Sequence, residues 1–361
     1  MKRPGLDGGI EPWSHGDICD AELRELGLDP GAIVDFSVNI DPRGPHKDVK
    51  KGFLDANIAR YPDPEARDLR LALAHRDGVP PEHIAIGCGV SGLIWSLMLS
   101  VSKRSTVLIP QHTFSEYRAA SEAAELSVEI LSRDFRTGFS LDWDQIEQWI
   151  SARRNPIFFV GSPDNPTGVG VDYEVIEAIA RRHRGARIVL DEAFLPLSVD
   201  HLKMTRGLPT NVIRLRSLTK ELGMPGLRVG YGIMSVEDRR RLENRTAPWT
   251  VGAAAQAAAT AGVRNLDLVP EVRERMRSDV VALESDLATR GWQVYGSQTV
   301  YMLMAVESAS GLARRLRAKG VLIRDCSSFG LGKFVRLCGL PRSSRLRLLA
   351  ALRDERPPAN P

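Results

Sequence analysis

Lys220 is the residue whose type and position point most directly to chemistry. It ends the sequence Ser-Leu-Thr-Lys, just after the predicted strand 212–215. Lysine is scarce, at nine of the 49 basic residues, so a generic solubility role explains it poorly. A lysine amine that is partly removed from water shifts its pKa readily and suits a Schiff base with an aldehyde. The alternative is an exposed loop lysine.

Asp191 follows the apolar run 187–190. The carboxyl end of a buried strand delivers such a side chain to the region where ligands bind in open α/β sheets. A carboxylate there can pair with a protonated pyridine nitrogen and keep an aromatic cofactor electron-withdrawing. The alternative is a strand-end acid that caps the next turn.

Two further segments lie after predicted strands. Residues 161–168, Gly-Ser-Pro-Asp-Asn-Pro-Thr-Gly, form a rigid turn that presents the amide of Asn165, and taken alone this is only a turn. Residues 86–92 read as a strand, a glycine-rich turn around Gly89 and a helix. The free N–H groups of such a helix start can hold a phosphate, although close packing of strand on helix also requires small residues.

The elements that must position these segments alternate between strand and helix. Apolar, β-branched runs predict strands at 83–86, 106–109, 156–160, 187–190, 212–215 and 228–233, with helices at 93–101, 115–124 and 171–182 among the segments between them. This alternation predicts an α/β domain with a mainly parallel sheet. The four chemical segments then lie at strand ends.

A second, smaller α+β domain is predicted after residue 260. The alanine-rich run 252–262 and the charged helical pattern 270–290 lead into it. Strands are expected at 300–306, 321–323 and 333–337, and helices at 311–319 and 344–353. The domains are therefore 1–45, a segment that closes the active site, 46–260, the large domain, and 261–361, the small domain.

Composition excludes several classes of protein. In 361 residues, 43% hydrophobic and 26% charged residues with a net charge of +4 indicate a globular protein without a dedicated nucleic-acid surface. No apolar stretch approaches 18 residues, so no membrane span is expected. The four cysteines and seven histidines show no metal-binding spacing, and we expect reduced thiols in a cytoplasmic protein without a metal.

Taken together and in this order, the glycine-rich loop, Asn-Pro-Thr-Gly, Asp-Glu-Ala-Phe and Ser-Leu-Thr-Lys resemble a fold-type I pyridoxal-phosphate enzyme of the aspartate aminotransferase superfamily, class I/II, over nearly the full chain. More narrowly, the chain is similar to the histidinol-phosphate aminotransferase branch, and most like its L-threonine-O-3-phosphate decarboxylases. The narrower match is carried by residues 15–18, 35–42, 60–64, 191–194, 216–220 and 248–251.

The resemblance implies a role for each cofactor residue. Lys220 would bind pyridoxal 5′-phosphate covalently, Asp191 would face its pyridine nitrogen, and Asn165 would hydrogen-bond its O3′. Phe114 would stack on the ring. The phosphate would be bound by the helix start and by two further side chains, namely Gly89, Val90, Ser91, Ser217 and Arg228. Tyr61 would reach the cofactor phosphate of the neighbouring subunit, which implies a homodimer.

The resemblance also implies how substrate is held. Arg336 would bind the α-carboxylate through its planar fork, and Arg324 would face a distal phosphate together with His15 and Asn39. Among so many arginines, Arg336 and Arg324 have the alternative of surface ion pairs, and His15 that of a bond to its own loop.

The implied function is decarboxylation of a small phosphorylated amino acid such as L-threonine O-3-phosphate, in a cobalamin-type pathway. The alternatives are a histidinol-phosphate-type aminotransferase and a relative that acts on another phosphorylated or phosphonate amino acid. Asp17, Gly252, Val300 and Leu340 depart from the family pattern near the substrate. The fold also serves as a ligand-sensing domain in transcription regulators, but about 45 residues with little helical pattern leave no room for their DNA-binding part.

Overall fold

The computed structural model describes residues 20–25 and 27–358 and divides the chain into two compact units. The large unit is Ile40–Arg277, and the small unit combines Met1–Asn39 with Ser278–Pro361. The sequence placed the boundaries after residues 45 and 260. The second division of the structure falls instead inside a helix of 21 residues, Leu268–Ala288.

The helices and strands are numbered here in chain order. The helices are α1 Asp20–Glu25, α2 Lys47–Leu54, α3 Arg67–Asp77, α4 Gly89–Ser100, α5 Glu116–Ala123, α6 Trp143–Ser151, α7 Tyr173–Arg182, α8 Leu218–Glu221, α9 Val236–Glu243, α10 Ala253–Arg264, α11 Leu268–Ala288, α12 Ala309–Ala318 and α13 Arg342–Ala351. The strands are β1 Val34–Asp35, β2 Ile84–Gly87, β3 Thr106–Pro110, β4 Ser127–Leu131, β5 Pro156–Gly161, β6 Arg187–Asp191, β7 Val212–Ser217, β8 Gly230–Ile233, β9 Val294–Tyr295, β10 Tyr301–Ala305, β11 Val321–Leu322, β12 Arg324–Asp325 and β13 Phe334–Cys338.

The large unit is built on a seven-stranded sheet of order β2-β8-β7-β6-β5-β3-β4. Strands β7, β6, β5, β3 and β4 are parallel to one another. β8 runs antiparallel to both of its neighbours, β2 and β7. This confirms the α/β architecture with a mainly parallel sheet. The edge strand β4 was missed by the sequence analysis.

Apolar side chains cover both faces of this sheet, because successive residues of a strand point to opposite sides. On β5, Ile157 and Phe159 pack into one core, which includes residues of α4 and α5. Phe158 and Val160 pack into the other, which includes residues of α6 and α7. Strand β5 is therefore apolar from Ile157 to Val160, as in sheets with helices on both faces.

The small unit contains an antiparallel sheet of order β12-β13-β10-β9 and a short parallel pair, β1 with β11. The strands β10 and β13 and the helices α12 and α13 lie where the sequence placed a strand or helix, within two residues at each end. The two-residue strand β9 was not predicted.

Candidate functional site

The carboxyl ends of the parallel strands gather most of the predicted cofactor residues at one edge of the large sheet. β6 ends at Asp191, β7 ends at Ser217 and runs directly into α8, and β2 leads into α4. The turn after β5 carries Asn165, and the turn after β3 carries Phe114. Ligands bind at this edge in open α/β sheets.

Asp191 is buried at this edge and accepts two hydrogen bonds. The hydroxyl of Tyr117 donates to Oδ2 at 2.7 Å, and the backbone N–H of Ala193 donates to Oδ1 at 2.9 Å. Burial raises the pKa of Asp191 to about 6; the two hydrogen bonds lower it, and the charges of Asp164 and Glu192 raise it. A cationic ligand group would stabilise the ionised carboxylate, which fits a protonated pyridine nitrogen.

Tyr117 is a residue of the site that the sequence analysis did not single out. Its ring stacks on Phe159, with centroids 4.7 Å apart, and meets Phe114 edge-on at 5.7 Å. It lies three residues after Phe114, at the start of α5, and this helical spacing was the available signal. Tyr117 therefore connects the Phe114 turn to Asp191.

Lys220 lies in the short helix α8, half-buried between the buried residues Thr219 and Glu221. Its Nζ is 5.7 Å from the ring centroid of Phe194, which follows Asp191 by three residues. The structure thus brings the Ser-Leu-Thr-Lys and Asp-Glu-Ala-Phe segments together.

The start of α4 forms a cradle suited to an anion. Gly89 has a φ of +70°, and a Cβ at this position would lie 2.8 Å from Nη2 of Arg228. A Cβ on Gly230 would lie 2.8 Å from the backbone N of Val90. The two glycines thus keep a guanidinium close to the first turn of a 12-residue helix, whose N–H groups and dipole favour a phosphate.

Ser217, the last residue of β7, is buried and pairs in register with Gly230, which lies against the start of α4. Its Oγ is 2.7 Å from Oγ1 of Thr219. Together with the cradle and Asp191, these donor groups match the two charged ends of the predicted cofactor, so the residues present fit pyridoxal phosphate.

A network of buried ion pairs includes direct sequence neighbours of the predicted cofactor residues. It links three arginines, three carboxylates and two tyrosines: Arg76, Asp77, Tyr173, Glu192, Arg214, Arg216, Glu221 and Tyr231. Three of its members adjoin predicted cofactor residues in the chain, because Glu192 follows Asp191, Arg216 precedes Ser217 and Glu221 follows Lys220.

Within this ion network Arg216 is the central cation. Its Nε donates to Glu192 at 2.7 Å and its Nη1 lies 3.0 Å from Asp77. Glu192 also accepts from Arg214 at 2.9 Å and from the hydroxyl of Tyr173 at 2.7 Å. Charges taken out of water are stable only with such partners, so the network balances its own charge.

The predicted substrate arginines lie opposite each other in the small unit. Arg324 on β12 pairs in register with Arg336 on β13. Arg336 is buried, donates from Nη2 to the carbonyl of Ser37 at 2.7 Å and lies over the ring of Tyr301. Burial lowers the pKa of both arginines, and the charge of Arg336 lowers that of Arg324 further. An anion would stabilise both charges.

Three more residues named from the sequence lie in this unit. Asn39 is buried, and its Oδ1 accepts no hydrogen bond from any residue that the structure describes. Val300 and Leu340, two of the departures from the family pattern, are also buried. The small unit therefore has buried apolar side chains at these two positions.

Some predicted residues are not brought together with the rest. Tyr61 lies 80% exposed on the large unit, stacked on Trp249 with centroids 4.8 Å apart. Gly252 is the N-cap residue of α10. His15 and Asp17 lie outside the described residues.

The described residues contain neither a metal-binding cluster nor a membrane-spanning helix. In residues 20–25 and 27–358, no cluster of three or more His, Cys, Asp or Glu side chains could hold a metal ion. No helix in this part of the chain is both long and apolar enough to cross a membrane.

Comparisons with known proteins agree with this geometry. The family model "Aminotransferase class I and II" matches residues 32–352. Histidinol-phosphate aminotransferase 2 of Archaeoglobus fulgidus is 32% identical over 89% of this chain and 93% of its own. Threonine-phosphate decarboxylase of Salmonella typhimurium is 29% identical over 94% of this chain and 96% of its own.

A solved structure shows the same fold. Histidinol-phosphate aminotransferase from Sinorhizobium meliloti, in complex with pyridoxal-5′-phosphate, superposes with a TM-score of 0.83 at 22% identity, covering 96% of this chain and 97% of its own. The fold expected from the sequence resemblance is confirmed.

Proposed function

The chain belongs to the class I and II aminotransferase family of pyridoxal 5′-phosphate enzymes, and from this premise we propose that it decarboxylates a small phosphorylated amino acid such as L-threonine O-3-phosphate. The product would be 1-aminopropan-2-yl phosphate. The alternative is a histidinol-phosphate-type aminotransferase, which the names of several relatives support. The other alternative is a relative that acts on another phosphorylated or phosphonate amino acid.

The observation that carries the proposal is the register pair of Arg324 and Arg336. Directly opposed residues of an antiparallel pair have Cα atoms roughly 4.5–5.5 Å apart, so two cations stand close together. A short amino acid with an α-carboxylate and a phosphate offers two anionic groups at such a spacing. Arg336 would bind the carboxylate, and Arg324, with Asn39 and His15, the phosphate.

Phe194 favours decarboxylation over transamination. Many aminotransferases place a tyrosine at this position to touch the cofactor O3′, whereas here the ring beside Lys220 has no hydroxyl. When bound, the cofactor's pyridine ring withdraws electrons from the bonds at the substrate Cα. In the proposed reaction the bond between Cα and the carboxylate would break, CO2 would leave, and the electron pair left at Cα would take up a proton.

The chain's own residues do the remaining work in this proposal. Asp191 would keep a proton on the pyridine nitrogen, Phe114 would stack on the ring and Asn165 would hydrogen-bond O3′. The helix start at Gly89, Val90 and Ser91, with Ser217 and Arg228, holds the phosphate in place. Lys220 supplies the proton that replaces the lost carboxylate at Cα.

One pair of assays tests the reaction type. The enzyme is incubated with O-phosphothreonine, and separately with histidinol phosphate plus 2-oxoglutarate, while CO2 and glutamate are measured. We expect CO2 from the first mixture and no glutamate from the second. Glutamate formation without CO2 would establish the aminotransferase instead.

A second experiment tests the role of Lys220. Purified protein should be yellow, and Lys220→Ala should remove the visible absorption band, whereas the control Lys203→Ala should keep it. Borohydride reduction and peptide mapping should place the cofactor on Lys220. A reduced adduct on another lysine would overturn this assignment.

The two arginines are separated by their effects on substrate and product. Arg336→Ala should weaken binding of the amino acid by roughly 30- to 1000-fold, the loss expected for a bidentate charged contact, and should barely affect the decarboxylated amine. Arg324→Ala should weaken both ligands, and the exposed control Arg342→Ala neither. If Arg336→Ala weakened both ligands equally and Arg324→Ala neither, the two roles would be wrong.

We also propose a homodimer in which Tyr61 reaches the cofactor phosphate of the neighbouring subunit. Exposed apolar side chains support this: Tyr61 stacks on Trp249, and Phe53, Leu54 and Ile58, within eight residues before Tyr61 in the chain, are also exposed. Co-expressed Tyr61→Ala and Lys220→Ala chains should regain activity, because each mixed dimer would contain one intact site. No recovery in isolated mixed dimers would contradict the proposal.

A further inference from the structure

Arg133 is a buried cation outside the set of predicted cofactor residues. It follows β4, the edge strand of the large sheet, and its side chain is 3% exposed. Its Nε donates to the carbonyl of Gln111 at 2.6 Å and its Nη2 to the carbonyl of His112 at 2.7 Å. Nη2 also forms an ion pair with Asp164.

These contacts cross one strand of the sheet. In the order β5-β3-β4, Arg133 starts from the end of β4, bonds the backbone that leaves β3, and reaches the turn that follows β5. The β3 turn carries Phe114, two residues after His112, and the β5 turn carries Asn165, next to Asp164.

Asp164 makes hydrogen bonds within the turn of Asn165 and also to the turn of Phe114. Its N–H donates to the carbonyl of Val169 at 2.9 Å, and its carbonyl accepts from the N–H of Gly168 at 2.6 Å. Its side chain accepts from Oγ1 of Thr113 at 2.5 Å. The residue before Phe114 and the residue before Asn165 are therefore joined directly, with Arg133 bonded to both turns.

We infer that Arg133 is a positioning residue, which holds the turn of Phe114 and the turn of Asn165 at a fixed separation through Asp164. The inference rests on the proposed roles of these two residues at the cofactor ring and O3′. Arg133 itself touches backbone and Asp164, so it acts through them. Small displacements of groups that orient a reacting molecule lower the reaction rate. A residue that fixes the separation of the two turns would therefore support catalysis.

The positive charge of Arg133 also affects the pKa of Asp164. Asp164 is buried, and burial raises its pKa while the guanidinium of Arg133 lowers it. The charge of Asp164 in turn acts on Asp191. Removing Arg133 leaves a buried carboxyl group without its cation, a change that is unfavourable wherever water is excluded.

The test compares Arg133→Met with the matched control Arg153→Met. Arg153 also binds a carboxylate and a backbone carbonyl near β4, those of Glu129 and Trp149, but none of its bonds goes to the turns of Phe114 or Asn165. Pyridoxal phosphate is titrated into each cofactor-free variant by tryptophan fluorescence, the visible circular dichroism of the bound cofactor is recorded, and thermal unfolding of the cofactor-free proteins is followed.

Arg133→Met should raise the cofactor dissociation constant roughly 10- to 100-fold, the loss expected when charged hydrogen bonds are removed, and should reduce the visible dichroism. Arg153→Met should change neither by more than about twofold. Adding Asp164→Asn to Arg133→Met should restore part of the affinity, because no uncompensated carboxylate remains. Should Arg133→Met fail to fold, Thr113→Val tests the same connection between the two turns, because it removes the hydrogen bond from Thr113 to Asp164. It should raise the cofactor dissociation constant about 3- to 10-fold.

Two results would overturn the inference. One is an unchanged dissociation constant and dichroism in folded Arg133→Met, with lower thermal stability alone. The other is an equal change in Arg153→Met. Phe114→Ala and Asn165→Ala are measured in parallel: if neither weakens cofactor binding, the proposed roles fail, whereas if both do and Arg133→Met does not, only the inference about Arg133 fails.

Discussion

Asp191 and Glu192, two neighbouring buried carboxylates at the end of β6, belong to two different regions and have different kinds of partner. In the ion network, Glu192 accepts from Arg214, Arg216 and Tyr173. In the candidate cofactor site, Asp191 accepts from a tyrosine hydroxyl and a backbone N–H, and no cation among residues 27–358 forms an ion pair with it. One carboxylate is paired with cations of the protein, and its neighbour is not, which fits the cofactor role proposed for Asp191. Burial alone therefore does not distinguish the two acids, whereas their partners do.

Glu192→Gln should have the largest effect on stability, because it leaves Arg214 and Arg216 buried beside a neutral amide. Loss of one partner of a buried pair costs about 3–5 kcal/mol. Urea unfolding of the cofactor-free protein measures this, and the visible band of the folded holoenzyme should persist. A loss below 1 kcal/mol would show that the ion network is not needed for stability.

Asp191→Asn should show the reverse. It should lower kcat about 10²- to 10³-fold, the range seen when one preorganised electrostatic contact is removed, because a neutral amide cannot keep the pyridine nitrogen protonated. The free energy of unfolding of the cofactor-free protein should rise at pH 7, because the amide does not carry the buried negative charge. Near wild-type kcat would mean that Asp191 is a structural acid.

The pH dependence of stability sharpens the contrast. The pKa of Asp191 is about 6 in the folded protein, against 3.8 for an ordinary aspartate. Between these values the folded state binds more protons than the unfolded state, so this group lowers the free energy of unfolding as pH rises. At about 1.36 kcal/mol per pKa unit, the loss is about 3 kcal/mol between roughly pH 4 and 6. Cofactor-free Asp191→Asn should lack this contribution, and parallel pH profiles for the two proteins would contradict it.

The smallest effect is expected at an exposed ion pair. Glu237 and Arg241 are bonded one turn apart on α9, and both side chains are largely exposed. Glu237→Gln should change the free energy of unfolding by less than about 1 kcal/mol, because water and salt screen such pairs. An effect as large as that of Glu192→Gln would remove the distinction between buried and exposed pairs.

The sequence predicted those parts of the fold that depend on local patterns. Strands buried on both faces have apolar runs, which is why β5 and β6 were located within one residue at each end and β7, where two arginines interrupt the run, within two. β4 was missed because, at the sheet edge, it mixes Glu129 and the half-exposed Ile130 with apolar residues. The helix α11 continues one helical pattern across the division between the units, so the sequence offered no break at residue 277.

The candidate site divides in the same way. Asp191, Lys220 and Gly89 could be proposed from the sequence because each follows a strand in a short distinctive segment. Arg133 and Arg216 could not be proposed in this way. The partners of Arg133 lie 21 and 31 residues away in the chain, and those of Arg216 lie at least 12 residues away. No local pattern distinguishes these two residues from the other arginines. Long-range ion pairs leave no periodic signal in a chain.

The ion network also sets an order of events during protein synthesis. Asp77 ends α3, and its hydrogen-bond partner Tyr231 is 154 residues further along the chain. At about 5–20 residues per second, the ribosome needs roughly 8–30 s to reach it. For most of that interval Arg76 and Asp77 lack the partners that they have in the folded protein, since Arg216, Glu221 and Tyr231 are all made near its end. The end of α3 therefore gains its full set of buried partners only when β8 has been made.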